Sequence, residues 1–399
     1  MNYDKNNIPS LRFPEFKDDW KKKKLGEVAE IGRGKSKHRP RNAKFLYGGE
    51  YPFIQTGDIR NAELYLDTYS HTYSEAGLKQ SKLWNENTLC ITIAANIAET
   101  TILKIKACFP DSIIGLIPKE NETIVLFVKN LFDKFKIEIQ SLSQGVAQAN
   151  LNQEKLSNIE FSFPTLAEQT KITNLFTAID EKLQSLKKKK QLLELYKKGA
   201  MQQLFSQELR FKEDNGNEFP KWEMKKLGEV CEVIMGQSPS FNSYNSDEIG
   251  IPLIQGNADI RNRLSNPKNW TTEKTKECKI GDLILTVRAP VGAVAKSIHN
   301  ACIGRGVCAI KNNSKSINEF IYQFLLDYET KWSSLEQGST FTAVSGLEIK
   351  KLEIPIPSLP EQTKIANFLS SLDEKINSTN NQITKTQEWK KGLLQQMFV

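Results

Sequence analysis

The chain has 399 residues, enough for two or three domains that each bury a core. Hydrophobic residues make up 39% and charged residues 26%, proportions typical of a water-soluble protein and not of a membrane-embedded one. Lys and Arg number 55 against 47 Asp and Glu, so the net charge of +8 is compatible with a polyanion partner without establishing one.

The N-terminal stretch MNYDKNNIPSLRF holds no apolar run of signal-peptide length, and no later stretch predicts a bilayer span. Six cysteines (Cys90, Cys108, Cys231, Cys278, Cys302, Cys308) form no CxxC pair, which predicts a reducing, cytoplasmic location. His299, Cys302 and Cys308 are the one arguable metal cluster. Their spacing fits no zinc pattern, so burial is the simpler reading and no metal site is expected.

In chain order, LRF at Leu11–Phe13 is followed by Trp20–Val28, which ends in KKLGEV. Gly32–Phe45 (GRGKSKHRPRNAKF) then carries six Lys or Arg and no acid. A solvated loop usually mixes signs, so phosphate or base contact through Lys35, Lys37, Arg39, Arg41 and Lys44 is weighed against a bland surface loop. Tyr51–Asn61 (YPFIQTGDIRN) offers Gln55 and Arg60 after an apolar pair, either as DNA contacts or as a self-stabilised turn. LCITIA within Asn87–Ala98 reads as a buried strand, and Ile124–Ile139 has helical spacing. Gln144, in Ser143–Leu151, either faces DNA or shapes a hinge.

Leu166–Phe205 is then predicted as one long helix. Ile172, Phe176, Ile179, Leu183 and Leu186 form its stripe, and Lys187–Lys190 reads as a solvated face. At ~1.5 Å per residue, roughly forty residues make a rod of ~60 Å.

The chain then repeats itself. LRF recurs at Leu209–Phe211 and KKLGEV within Trp222–Val230, with a four-residue insertion around the turn Asn215-Gly216-Asn217. Gly236–Ser246 (GQSPSFNSYNS) takes the place of the basic loop, with amides and hydroxyls including Gln237 and Ser238. Such groups suit adenine edges where Arg suits guanine, a reading weighed against two merely variable loops. Ile251–Asn262 supplies Gln255, Asn257 and Arg261, Gly281–Gly292 supplies Arg288, and Glu336–Val344 supplies Gln337. Ile317–Trp332 has helical spacing. Leu359–Phe398 repeats the long helix at an offset of 193, with Ile365, Leu369, Leu372, Ile376 and Ile383 on its stripe. Both copies share EQTKI, DEK, KKG and QQ, which predicts an antiparallel pair of rods packed stripe to stripe. Two units make this a duplication and not a solenoid.

Catalytic templates are missing. There is no GxxxxGK[ST] cradle, and NPKNW at Asn266–Trp270 only approximates an amino-methyltransferase motif. Pro110-Asp111 and Glu348-Ile349-Lys350 resemble halves of a nuclease signature but lie in different repeats, and the three histidines give no triad.

LRFPEFKDDW with KKLGEV, GQSPS, IPLIQG, the QG stretches and the twice-repeated EQTKI–DEK–KKG–QQ helix resemble the specificity subunit of type I restriction–modification enzymes. The resemblance covers nearly the whole chain. It implies a non-catalytic adaptor in which two α/β (α+β) target-recognition domains each read half of a split double-stranded DNA sequence. Two long antiparallel coiled-coil helices would set the gap and dock two modification (methyltransferase) subunits. S-adenosylmethionine would then belong to those subunits, ATP and Mg to restriction subunits that join the core, and no cofactor to this chain. The expected division is 11–163 and 208–356 for the recognition domains, with 164–207 and 357–399 for the spacer helices. A self-contained DNA-modifying enzyme is opposed by the missing motifs, and a coiled-coil scaffold without DNA by the basic loop.

Overall fold

The computed structural model describes residues 8–94, 96–142, 151–336 and 343–399. It forms two compact units, one of Met1–Lys187 with Asn381–Val399 and one of Lys188–Asn380. Both long helices, Leu166–Phe205 and Leu359–Met397, contribute to each unit.

In the first unit a five-stranded sheet runs in the order Ala29–Arg33, Ile113–Pro118, Leu89–Thr92, Thr100–Leu103, Tyr65–Leu66. The strand LCIT at its centre is buried throughout, as β-branched and apolar residues between covered faces should be. The second unit repeats the order with Cys231–Met235, Val307–Asn312, Leu283–Thr286, Val294–Lys296 and Leu264–Ser265, and adds Ile260–Arg261 at the edge. Each unit also holds a smaller sheet and a two-stranded pair, Lys21–Lys24 with Glu160–Phe163 and Glu223–Lys226 with Glu353–Ile356. The helical stretch after Glu122 is two helices, Val125–Lys134 and Lys136–Ser141, broken where Phe135 leaves the helical region. Its counterpart Asn318–Glu336 is continuous.

The repeated EQTK explains how each long helix is anchored. Glu168, 1% exposed, accepts Arg12 Nε and Nη2 at 2.7 Å each and Trp20 Nε1 at 3.3 Å. Glu361, 0% exposed, does the same with Arg210 (3.1 and 2.8 Å) and Trp222 (3.0 Å). Charge-assisted hydrogen bonds to these glutamates raise both guanidinium pKa values above their ordinary range. Gln169 and Gln362 donate to Pro164 and Pro357 carbonyls, and their Oε1 atoms accept backbone N–H groups of Ile124 and Ile317. Lys171 and Lys364 reach back to Glu15 and Asp214 in the LRF lead-ins.

The apolar stripes enter the domain cores. Ile172, Phe176, Ile179, Leu183 and Leu186 are buried in one cluster with Trp20, Phe127, Ile383 and Phe398. Ile365, Leu369 and Leu372 are buried with Leu204, Leu227 and Phe320; Ile376 is half-buried. Phe398 packs on Trp20 and Phe127 (6.3 and 5.3 Å between ring centres), and Phe205 on Phe320 and Phe324 (5.8 and 5.6 Å). The aromatic ending each helix copy therefore plugs a domain core.

DEK and KKG find each other across the seam. In the first unit Lys390 meets Asp180 at 2.6 Å, and in the second Lys197 meets Asp373 at 2.6 Å. Lys190 Nζ reaches Asn380 at 2.9 Å, seven residues before Lys197 on one helix and seven after Asp373 on the other. Asp180 precedes Lys190 by ten and Lys390 follows Asn380 by ten, so the pairs keep one antiparallel register. Lys187 pairs with Glu63. No helix among the described residues is long and apolar enough to cross a membrane.

Candidate nucleic-acid interface

In the first unit the basic loop leaves strand Ala29–Arg33 and is pinned by its backbone. Gly34 N–H donates to Ile113 O (2.9 Å), Lys35 N–H to Phe109 O (3.1 Å), and Ser81 Oγ to Lys35 O (2.8 Å). Lys35, Lys37, Arg39, Arg41 and Lys44 are all exposed. Arg41 pairs with Asp111 at 2.8 Å, and Arg33 Nε donates to the Asp111 carbonyl. Arg39 donates to the Ser36 and His38 carbonyls. Lys35, Lys37 and Lys44 have no carboxylate partner among the described residues. A cavity of about 280 Å³ beside the loop is lined by Arg33, Arg41, Asp111 and Asn152. Gln55 caps helix Thr56–Asn61, its N–H on Asp58 Oδ2 at 2.8 Å, and its amide lies 3.3 Å from His71 Nδ1. Behind them Tyr73 is buried, and burial pushes its phenol pKa up.

The second unit reproduces this framework with other side chains. Gly236 N–H donates to Val307 O (3.0 Å) and Gln237 N–H to Ile303 O (2.8 Å), while Thr275 Oγ1 donates to Gln237 O. These are the bonds of Gly34, Lys35 and Ser81, so Gly236-Gln237-Ser238 occupies the place of Gly34-Lys35-Ser36. Gln255 N–H bonds Asp259 Oδ2 at 2.8 Å, and its amide donates to Tyr244 Oη at 3.0 Å.

Three segments converge here: Gly236–Ser238, Gln255-Gly256 and Gly304–Gly306. A Cβ on Gly236 would stand 2.1 Å from Gly304 O, and one on Gly306 2.1 Å from Gln255 O, so only glycine permits the approach. Arg305, at the tip, is held by Ser238 Oγ, which accepts its N–H at 3.2 Å and its Nε at 3.4 Å. Val287 N–H donates to Gly306 O at 2.9 Å, which sets exposed Arg288 next to this cluster.

Of the residues singled out by sequence, Lys35, Arg39 and Arg41 gather on one loop, and Gln237, Ser238, Gln255 and Arg288 around another. Arg60 is exposed on helix Thr56–Asn61, Asn257 in the 3-10 turn Asn257–Asp259, and Arg261 on edge strand Ile260–Arg261. No side-chain bond joins these three to either cluster among the described residues. Gln337 and Gln144 lie outside the described residues. Sequence reasoning missed Arg305, and took Asp111 only as part of a coincidental nuclease half. The signal for both was the repeat itself, since FPDSI (Phe109–Ile113) aligns with IGRGV (Ile303–Val307).

The sites offer cations, amides and hydroxyls. Ser265 Oγ meets His299 Nδ1 at 2.7 Å while also accepting Ile298 N–H, a turn tie within the domain. Cys302 and Cys308 are buried, and no group of three or more His, Cys, Asp or Glu among the described residues is placed to hold a metal.

A duplicated recognition scaffold, with two matched loops on one repeated fold and two long helices that each contribute to both units, is the class these observations define. The profile of the type I restriction modification DNA specificity domain matches residues 17–195 and again 220–387, and the chain belongs to that family. A Methanocaldococcus jannaschii chain assigned as the MjaX type I restriction enzyme specificity subunit is 27% identical, over 98% of this chain and 96% of its own. The MjaIX specificity subunit of the same organism is 32% identical over 45% of this chain and 44% of its own. The type I restriction–modification S subunit of M. genitalium shares the fold at a TM-score of 0.65 and 15% identity, over 98% of this chain and 99% of that one.

Proposed function

We propose that this chain is the non-catalytic DNA-reading subunit of a type I restriction–modification complex, working in the cytoplasm. Its recognition domains, 11–163 and 208–356, each read one half of a bipartite double-stranded target. The spacer helices, 164–207 and 357–399, set the gap between half-sites and dock two modification subunits. Those subunits bring S-adenosylmethionine, and restriction subunits bring ATP and Mg. The observation that carries the reading is the matched pair of loops. One backbone framework presents Lys35, Lys37 and Arg39 in one domain and Gln237, Ser238 and Arg305 in the other, as two readers of different sequences would require.

The test is reconstitution. The purified chain with S-adenosylmethionine alone should leave DNA unmethylated and uncut, and adding the modification subunits should methylate adenines in a two-part motif. Methyl transfer by the chain alone would overturn the non-catalytic assignment. A partnered complex that binds all duplexes alike would overturn sequence reading.

A further inference from the structure

The two units carry opposite charges at one matched position. Asp111 follows Pro110 in the turn whose flanking carbonyls accept Gly34 and Lys35 N–H. Arg305 follows Gly304 in the turn whose flanking carbonyls accept Gly236 and Gln237 N–H. The fold needs only backbone there, since both units make the same main-chain bonds with different side chains. An acid in one unit and a base in the other therefore reflect what each turn faces, not what the sheet requires.

The surroundings of Arg305 are those of a reader. It is exposed, and among the described residues no carboxylate pairs with it, whereas Arg41 is tied to Asp111 and Arg263 to Glu329. Ser238 Oγ accepts from its Nε at 3.4 Å, which restricts the guanidinium, and neither Nη group has a partner among the described residues. Gln255, its amide oriented by Tyr244, lies on the neighbouring segment and is pressed against the same turn by Gly306. A fixed fork of donors with no acid partner matches the O6 and N7 acceptors of guanine in the major groove.

We propose that Arg305, positioned by Ser238, reads a guanine in the half-site taken by the second recognition domain. This rests on the DNA-reading function above. At the same place in the first domain Asp111 is engaged within its own unit, by Arg41 at 2.8 Å, so the matched turn there presents no comparable free fork.

The experiment uses the full chain assembled with its modification subunits, as wild type, Arg305→Ala and Arg305→Lys. Methylation mapping of the wild type fixes the two half-sites. Binding is then measured on the target duplex, on duplexes with each half-site base replaced in turn, and on unrelated duplex, at two salt concentrations. Arg305→Ala should lose about 5- to 150-fold discrimination at one guanine of one half-site, with the other half unchanged. Arg305→Lys keeps the charge but not the fork. It should lose the same discrimination while holding unrelated duplex as the wild type does.

Thermal melting of both variants should match the wild type, because the turn is held through its backbone. If a variant unfolds, Ser238→Ala, which frees the fork, should weaken the same guanine's discrimination, and an unchanged preference there would overturn the proposal. So would a wild-type half-site pair without guanine, or a motif unchanged in both Arg305 variants. Equal weakening on every duplex, with a smaller salt slope, would make Arg305 a phosphate contact and also overturn it. Each of these leaves the DNA-reading function standing. A wild-type complex without any sequence preference would remove that function itself.

Discussion

Arg12 and Glu168, 156 residues apart in the chain, meet in a two-pronged bond at 2.7 Å with the carboxylate almost fully buried. The pair ties the LRF lead-in to the first turn of the long helix, and Arg210 with Glu361 repeats it in the other unit. A buried carboxylate is tolerable only while its cation is present. Arg12→Met should therefore cost about 3–5 kcal/mol, since it leaves Glu168 charged and uncompensated in a dry site. Arg210→Met should cost a similar amount through Glu361. Urea unfolding followed by circular dichroism checks both, and a loss below about 1 kcal/mol would show that Trp20 and water suffice to satisfy the carboxylate.

The basic loop makes a second prediction, in salt dependence. Lys35, Lys37 and Lys44 are exposed and have no acid partners among the described residues, whereas Arg39 is engaged with carbonyls and Arg41 with Asp111. Neutralising Lys35, Lys37 and Lys44 together should lower the log–log salt slope of the complex's DNA binding by about 0.9 for each phosphate that no longer meets a cation. Neutralising Arg41 alone should change it less, because its charge is already compensated. Equal effects from all four would mean the Arg41–Asp111 pair opens on binding.

Thiol chemistry gives a third. All six cysteines are buried, and burial raises Cys231 to about 11 and Cys308 to about 12. At Cys231 and Cys308 the reactive thiolate is therefore scarcer in the folded chain than after unfolding, and burial shields all six sulfurs from reagent. Colorimetric titration should find almost no reactive thiol in the folded protein and six in denaturant. Because these folded-state values lie above the ordinary 9.0, the stability the thiols contribute is complete below pH 9 and is lost as pH rises toward 11 to 12. Rapid labelling of the native protein at pH 8 would contradict the burial.

The sequence made the duplication and the long helices legible because both are periodic. Ile172, Phe176, Ile179, Leu183 and Leu186 step by four and three, a pattern that needs no tertiary information to read. EQTK could be seen to recur, but its purpose depended on partners about 150 residues away, Arg12 and Trp20 for Glu168, Arg210 and Trp222 for Glu361. The candidate interface was legible by composition where charge is dense, as in Gly32–Phe45. It was hidden where one residue matters through geometry. Arg305 is a single arginine between two glycines, and it stands out only when the sheet brings it to Ser238 and Gln255.

The last prediction concerns the distance between half-sites. Phe205 packs on Phe320 and Phe324 within the second unit, and Leu209 N–H caps Gln203 O, so residues inserted after Ser206 would lie beyond that unit's anchored helix end. They should leave the DNA spacer unchanged. Both helices instead pass from one compact unit to the other near Lys187–Lys188 and Asn380–Asn381. The matching insertion points are Lys188–Lys189 on one helix and Asn381–Gln382 on the other, each lying in sequence between the Asp180–Lys390 pair of the first unit and the Lys197–Asp373 pair of the second. Four helical residues added at both points keep the seam in phase to within one stutter, because it already steps by four and three. They lengthen each rod by ~6 Å and rotate it by ~40° beyond a full turn. At ~3.4 Å per base pair this corresponds to a spacer longer by ~1–2 base pairs, with both half-sites unchanged. Methylation mapping of a strain carrying the paired insertion measures it directly. A spacer that stays constant in the paired insertion, or that lengthens with an insertion after Ser206 alone, would show that the helices do not set the gap.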